Sequence, residues 1–309
     1  MADLSEVDFV SPVVGDFYDR FPFPDISLED KFPLDFEWKW SFQIAYSKFT
    51  GAGFLFSKKG RKLRILDAGC GTGVSTNLLA FLNPGSEILA IDISSKSLDI
   101  ARERARILGS DKYSKIVFKK CNIYDLANGE RFDFINSSGM LPHLKDPSSA
   151  ISLFKSKLNY GGLISLLLYS DLGRFNVQRL RQVINILAID DFNERMNLGR
   201  IFIESLPEDN QLKKDYIGQC QSESMSESHF ADLYLHPFEN RYNLKRLFEM
   251  IKSIDLNFIS FSNPHIWDLK RFIEPGILKD IRVLSDLDKW KLIEQLDTSI
   301  AHFEFFVSN

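Results

Sequence analysis

Three observations predict an α/β fold built on a doubly wound parallel sheet. Short apolar runs alternate with segments of helical period from Arg64 to Tyr169. The run Leu163–Tyr169 is almost wholly apolar, as expected of a strand covered by helices on both faces. The first run passes through a glycine-rich stretch straight into a helix, and each parallel strand pair needs such a right-handed crossover.

Taken in order, Ile65-Leu66-Asp67 is the end of a first strand, and Ala68-Gly69-Cys70-Gly71-Thr72-Gly73 lets the backbone turn tightly against a ligand. Val74, Leu78, Leu79 and Leu82 start a helix at once, so its amino end faces whatever is bound. Glu87–Ile91 is a second strand closed by Asp92, and Ser94 or Ser95 caps a helix with Leu98, Ala101, Ala105 and Leu108 on one face. Ile116–Phe118 and Phe132–Ile135 are the next strands. Asp146 caps a helix that begins at Pro147 and turns Ile151, Phe154 and Leu158 inward, after which Gly161-Gly162 leads into Leu163–Tyr169. Leu172–Leu187 has a helix face of Val177, Leu180, Val183, Ile184 and Leu187, with Arg174, Arg179 and Arg181 nearby. Gln219–Ser228 is polar and reads as an exposed loop. A helix with Leu244, Leu247, Phe248 and Ile251 inward, a strand Phe258–Phe261, a helical stretch through Trp267, Phe272, Leu284 and Trp290, and a strand His302–Val307 finish the chain.

Composition narrows the function classes. With 309 residues, 44% of them hydrophobic, the chain can bury a core in one enlarged domain or two small ones. A net charge of −4 without a lysine or arginine block argues against nucleic acid as partner. No apolar run approaches the roughly 20 residues of a membrane span, and Met1–Glu6 lacks the basic start of a targeting segment, so the expectation is a cytoplasmic protein with no membrane partner. Cys70, Cys121 and Cys220 have no metal spacing, and no histidine and carboxylate cluster does either, so no metal is expected.

The glycine-rich turn and Asp92 point to a nucleoside cofactor. A dinucleotide fingerprint wants glycine at its first, third and sixth positions, and the sixth here is Val74. An acid at the end of the second strand can accept hydrogen bonds from both ribose hydroxyls.

Gly69, Gly71 and Gly73, followed by Asp92, resemble the first motifs of class I S-adenosylmethionine-dependent methyltransferases. Phe132–Pro147, Leu158–Arg174, His229–Glu239 and Leu256–Phe261 resemble a bacterial subgroup of that family often fused to tetratricopeptide repeats, and no such repeat appears in this sequence. The resemblance implies a Rossmann-like, seven-stranded, mostly parallel sheet with helices on both faces and an antiparallel last strand. The strand count matches. It implies S-adenosyl-L-methionine as cofactor, contacted at Asp67, Ala68, Gly69, Cys70, Gly71 and Gly73, at Asp92 and Ile93, at Asn122 and Ile123, and at Ser137. Asn122 stands where the family has an acid for the adenine amino group; its amide oxygen can still accept, and it reads equally well as a turn residue.

The chain then divides into an amino-terminal aromatic and proline cap at 1–60, a cofactor-binding core at 61–170, a helical insertion on the acceptor side at 171–252, and the completion of the sheet at 253–309. The rings of Tyr18–Pro24 and Phe36–Trp40 serve either as a lid over the acceptor or as ordinary core. Much of the catalysis of methyl transfer from a sulfonium is alignment and desolvation, and a base is needed only where the acceptor carries a proton. His143, just after the fourth strand, is the first candidate and His236, from the insertion, the second; both also read as structural donors to backbone carbonyls. His229, His265 and His302 read as structural. The expected activity is methyl transfer to a small aromatic or apolar metabolite. Protein methylation and a non-catalytic cofactor-binding scaffold are the alternatives, and a protein partner is left open. The Asn-Pro-Pro-aromatic signature of nucleic-acid amino methylation is absent, since Ser137 and Ser138 follow Asn136.

Overall fold

The computed structural model describes residues 10–30, 39–50, 62–187, 190–222, 225–278 and 283–309. Its centre is a sheet of β1 (Arg64–Ala68), β2 (Glu87–Asp92), β3 (Lys115–Lys120), β4 (Phe132–Ser137), β5 (Leu158–Ser170), β6 (Arg241–Tyr242), β7 (Asn257–Phe261) and β8 (His302–Ser308). The order is β3-β2-β1-β4-β5-β8-β7, with β6 paired to β5 off this path. Neighbours from β3 to β5 run parallel, and β8 is antiparallel to both β5 and β7. The order reverses at β1, so the carboxyl ends of β1 and β4 flank a crevice, which is where ligands sit in such sheets.

The helices are α1 (Val10–Arg20), α2 (Phe42–Thr50), α3 (Val74–Leu82), α4 (Ser95–Leu108), α5 (Pro147–Lys157), α6 (Phe175–Ile186), α7 (Phe192–Ser205), α8 (Gln211–Ser222), α9 (Glu227–Phe230), α10 (Leu244–Ser253), α11 (Pro275–Leu278) and α12 (Asp286–Leu296). Capping fixes the starts that the sequence marks. The Ser94 side chain accepts from the Ser97 N–H at the start of α4, and Asp146 accepts from Ser149 at the start of α5, each contributing about 1 kcal/mol. On one face of the sheet, Phe154 of α5, Leu247 and Ile251 of α10 and Ile293 of α12 share a core with Phe303 and Phe305. On the other, Phe42 and Ala45 of α2 and Leu79 of α3 pack on Ile65, Phe134 and Phe306. Helices α6 to α9 hold a separate core of Val177, Leu180, Ile184, Met196, Ile203 and Phe230. Phe17 of α1 and Phe21, just past its end, pack against Ala231 and Phe192 at the edge of that unit.

Several expectations need correction. An eighth strand, β6, joins the expected seven; at two residues it is too short to carry a period. β5 begins at Leu158, directly after α5, so Gly161-Gly162 lies inside the strand and Leu158 is its first residue instead of a helical one. The strand is irregular there, with a register shift opposite Phe132 and Phe134. A Cβ on Gly162 would stand 2.8 Å from the Asp133 carbonyl oxygen, so the close approach requires glycine. Of the expected loop Gln219–Ser228, residues 223–224 lie outside the described residues, and the rest is largely helical: α8 runs through Ser222 and α9 starts after the Ser226 cap. Helix α1 reaches Arg20 despite the prolines that follow. Trp267 and Leu284 lie outside helices, while α12 carries Trp290. Phe36–Trp38 falls outside the described residues.

Candidate active site

A cavity of about 560 Å³ opens at the carboxyl ends of the parallel strands. The glycine-rich turn forms its floor: the N–H groups of Gly69 and Cys70 donate to the Ile91 carbonyl at 2.9 and 3.0 Å, and Gly71 N–H donates to Asp92 Oδ2 at 2.8 Å. The Ser94 N–H holds the other oxygen, Oδ1, at 2.9 Å. Gly71 has φ +50°, and a Cβ there would lie 2.4 Å from the Phe23 carbonyl oxygen, so both its backbone angle and its neighbour exclude a side chain. Burial raises the pKa of Asp92, and the backbone N–H groups of Ser94, Gly71 and Ile93 pull it the other way.

The structure sorts the residues that the sequence assigned to the cofactor. Gly69, Cys70 and Gly71 line the cavity, with Asp92, Ile93, Asn122 and Ile123 beside them. Asn122 also accepts from the Tyr124 N–H at 3.2 Å, so it is a turn residue and a lining residue at once. Asp67, Ala68, Gly73 and Ser137 do not line it. Asp67 is buried beneath the turn, accepting from Ser75 Oγ at 2.8 Å, Thr76 Oγ1 at 2.6 Å and Asn136 Nδ2 at 2.8 Å, with its pKa raised by burial. Ala68 is buried in β1, and Gly73 packs on Ala101 of α4. Ser137 is buried, its hydroxyl without a partner among the described residues, and Ser138, Gly139 and Met140 take the lining positions after β4.

The amino-terminal segment clamps this turn. Thr72 donates from its N–H to the Phe23 carbonyl at 3.2 Å and from its hydroxyl to the Pro24 carbonyl at 2.7 Å. The fully buried Arg104 of α4 donates to the carbonyls of Thr72, Ser27 and Ile26 at 3.0, 2.7 and 3.0 Å. Asp19 accepts from Ser94 Oγ at 2.7 Å and Lys96 N–H at 3.0 Å, which joins α1 to the start of α4. The amino-terminal rings divide accordingly: Tyr18, Phe23 and Trp40 line the cavity, whereas Phe17 and Phe21 pack as core.

At the far end, His143 lines the cavity from the turn after β4, and its Nδ1 donates to the Phe238 carbonyl at 2.8 Å. A neutral ring then carries its lone pair on Nε2, which lies 3.4 Å from Tyr169 Oη. The same Phe238 fixes the opposite tautomer of His236, because its N–H donates to His236 Nδ1 at 3.0 Å. His236 Nε2 therefore carries the proton, and it has no partner among the described residues. The rings are 3.8 Å apart, and burial lowers both pKa values. His236 does not line the cavity, so of the two expected bases only His143 presents a lone pair there, with the Tyr169 hydroxyl as its long hydrogen-bond donor.

Two lining residues here, Asp232 and Tyr169, were not singled out from the sequence. Tyr18 Oη donates to Asp232 Oδ1 at 2.8 Å, and Tyr169 lies beneath the Arg174 guanidinium, 3.9 Å from its ring centre. Glu239 accepts from Arg174 at 2.7 Å and Arg181 at 2.9 Å; burial opposes its charge, but Arg174, Arg181 and His143 together hold its pKa down. Lys39 pairs with Glu304 at 2.7 Å on the opposite wall. Tyr169 could have been found as the polar end of β5, while nothing local marks Asp232. Among the described residues, no three histidine, cysteine or acidic side chains gather as a metal site, and no helix is long and apolar enough to cross a membrane.

Residues 59–231 match the family model described as a methyltransferase domain. An uncharacterised protein of Synechococcus sp. is 38% identical over 307 residues, covering 97% of this chain and 72% of that protein. The ubiquinone biosynthesis O-methyltransferase of Haemophilus ducreyi is 32% identical over 123 residues, 38% of this chain and 48% of that enzyme. PKMT2 from Rickettsia typhi, in complex with AdoHcy, superimposes with a TM-score of 0.68 at 15% identity, over 91% of this chain and 55% of that one. This chain thus spans about half of the solved structure, and the likeness concerns the fold. Together with the glycine-rich turn and the sheet order, these matches show that the chain belongs to the methyltransferase-domain family, with the class I fold.

Proposed function

We propose that this chain is an S-adenosylmethionine-dependent methyltransferase acting on a small aromatic or apolar metabolite whose acceptor atom carries a proton. One observation carries the reading: a single cavity is bounded by the glycine turn with Asp92 at one end and by the His143 Nε2 lone pair at the other. The residues fit the cofactor. Asp92 would offer a carboxylate to the ribose diol, Asn122 and Ile123 line the wall that would take the adenine, and the turn would leave space for the methionine portion. Ser97 adds a buried lining hydroxyl with no partner among the described residues. The bound cofactor supplies an electrophilic methyl group on sulfur.

The chain itself aligns the acceptor, excludes water and receives its proton at His143 Nε2. Tyr18, Phe23 and Trp40 give flat, largely apolar walls suited to a ring. The O-methyltransferase named above acts in ubiquinone biosynthesis, which is in keeping with a small-molecule acceptor. Incubation with methyl-labelled S-adenosylmethionine and a fractionated cell extract tests the proposal. Label is expected in a small-molecule fraction; label in a polypeptide, or none despite measurable cofactor binding, overturns it.

A further inference from the structure

We propose that Asp232, held by Tyr18, is a positioning residue whose carboxylate stabilises the positive charge that His143 acquires on taking a proton from a hydroxyl acceptor. The inference rests on the methyltransferase reading above and deepens it by naming the acceptor group. Asp232, Tyr18 and His143 all line the same end of the cavity, and Asp232 is only 5% exposed. Tyr18 Oη fixes its Oδ1 at 2.8 Å, and the Tyr18 ring stands 6.3 Å from the His143 ring, so α1 holds the carboxylate beside the imidazole.

The other groups facing His143 do not supply that charge. Tyr169 from β5 is neutral, with burial raising its pKa, and His236 is fixed as a neutral donor. Arg174 disfavours an imidazolium, and Glu239 is already engaged by Arg174 and Arg181. Asp232 forms no ion pair among the described residues, and it opposes the burial that keeps the His143 ring neutral. It lies in the wide π-helical turn Ala231–Leu235, an element that often marks functional sites.

The reaction balances on these groups. The acceptor O–H bond breaks and its proton moves to His143 Nε2; the oxygen electron pair forms the new C–O bond, and the methyl–sulfur bond breaks with its pair returning to sulfur. One positive charge disappears from the sulfonium donor and one appears on the imidazole, so the cavity keeps its net charge while that charge moves toward Asp232. A hydroxyl suits this device because it gives up its proton as it is methylated.

Nuclear magnetic resonance titration of the full chain labelled at histidine reads the coupling directly, with His143 assigned by its loss in His143→Gln. Asp232→Asn keeps an acceptor for Tyr18 and should lower the His143 midpoint by about one pH unit or more. Asp232→Glu should stay near the wild type, and Asp232→Ser gives a second neutral side chain if the amide disturbs folding. Midpoints within about 0.2 unit of the wild type in the neutral variants overturn the role of Asp232. Calorimetry with S-adenosylhomocysteine separates the two claims. Absent binding to the wild type overturns the methyltransferase reading and this role together, whereas intact binding with an unmoved titration removes Asp232 alone.

Discussion

Asp92 is half-buried and desolvation raises its pKa, although the backbone N–H groups of Ser94, Gly71 and Ile93 pull it down. A carboxylate in this setting gains from further donors, which the hydroxyls of a ribose would provide. Asp92→Ala should therefore weaken S-adenosylhomocysteine binding by about 1.5–3 kcal/mol per charged hydrogen bond lost, read by calorimetry. Unchanged affinity would take Asp92 out of the site. Gly71 and Asp92 were legible in the sequence because a strand, a tight turn and a helix are local, and their spacing is visible without a fold. Asp67 belonged to the same motif but turns inward to the Ser75 and Thr76 hydroxyls, and strand alternation alone did not show which face the cavity would take. Tyr18 and Asp232 are 214 residues apart, and no periodicity links such a pair.

Helix α4 joins three parts of the chain, since Arg104 reaches the glycine turn at Thr72 and the amino-terminal segment at Ser27 and Ile26. Burial lowers the Arg104 pKa, but a guanidinium stays charged, so its three carbonyl partners take the place of water. Arg104→Met preserves apolar bulk and removes all three bonds. It should cost about 3 kcal/mol of stability, less than the sum of charged hydrogen bonds because the carbonyls of Ile26 and Ser27 can rehydrate. It should also weaken cofactor binding, as the Phe23–Ser27 segment loses its tie to the turn. Urea denaturation and calorimetry on one variant check both effects, and a loss in stability with unaltered affinity would separate the clamp from the site. Elements with a cap or an apolar face, such as α4 and α5, could be read from the sequence. α2, whose Phe42 and Ala45 find their partners on the distant strands β1, β4 and β8, could not, and neither could β6, which exists through pairing with β5.

The chain as a whole should lose stability in acid in two stages, and the sign of each follows from its buried groups. His143 and His236 have folded pKa values below their ordinary value, because burial opposes the imidazolium. The unfolded chain takes up their protons first, so their contribution is complete above roughly pH 6.5 and falls as pH drops below that. A histidine that stays neutral in the folded chain loses about 1 kcal/mol over that first unit. Glu239 and Glu304 come later. Burial opposes both charges, but Arg174 with Arg181 and His143 around Glu239, and Lys39 with His302 and Ser262 around Glu304, together hold their pKa values below normal, so their contribution lasts to roughly pH 4.5 and is lost below it. Asp67 and Asp92 act oppositely: their raised pKa values let the folded chain bind protons more readily near pH 4, which offsets part of the second stage. The first stage thus isolates the histidines. His236→Asn keeps an acceptor for the Phe238 N–H but cannot titrate, so the fall in unfolding free energy between about pH 7.5 and about pH 5.5 should shrink by about half in urea denaturation. A fall equal to that of the wild type would mean that His236 already binds its proton in the folded chain, and the pair of opposed tautomers around Phe238 would have to be abandoned.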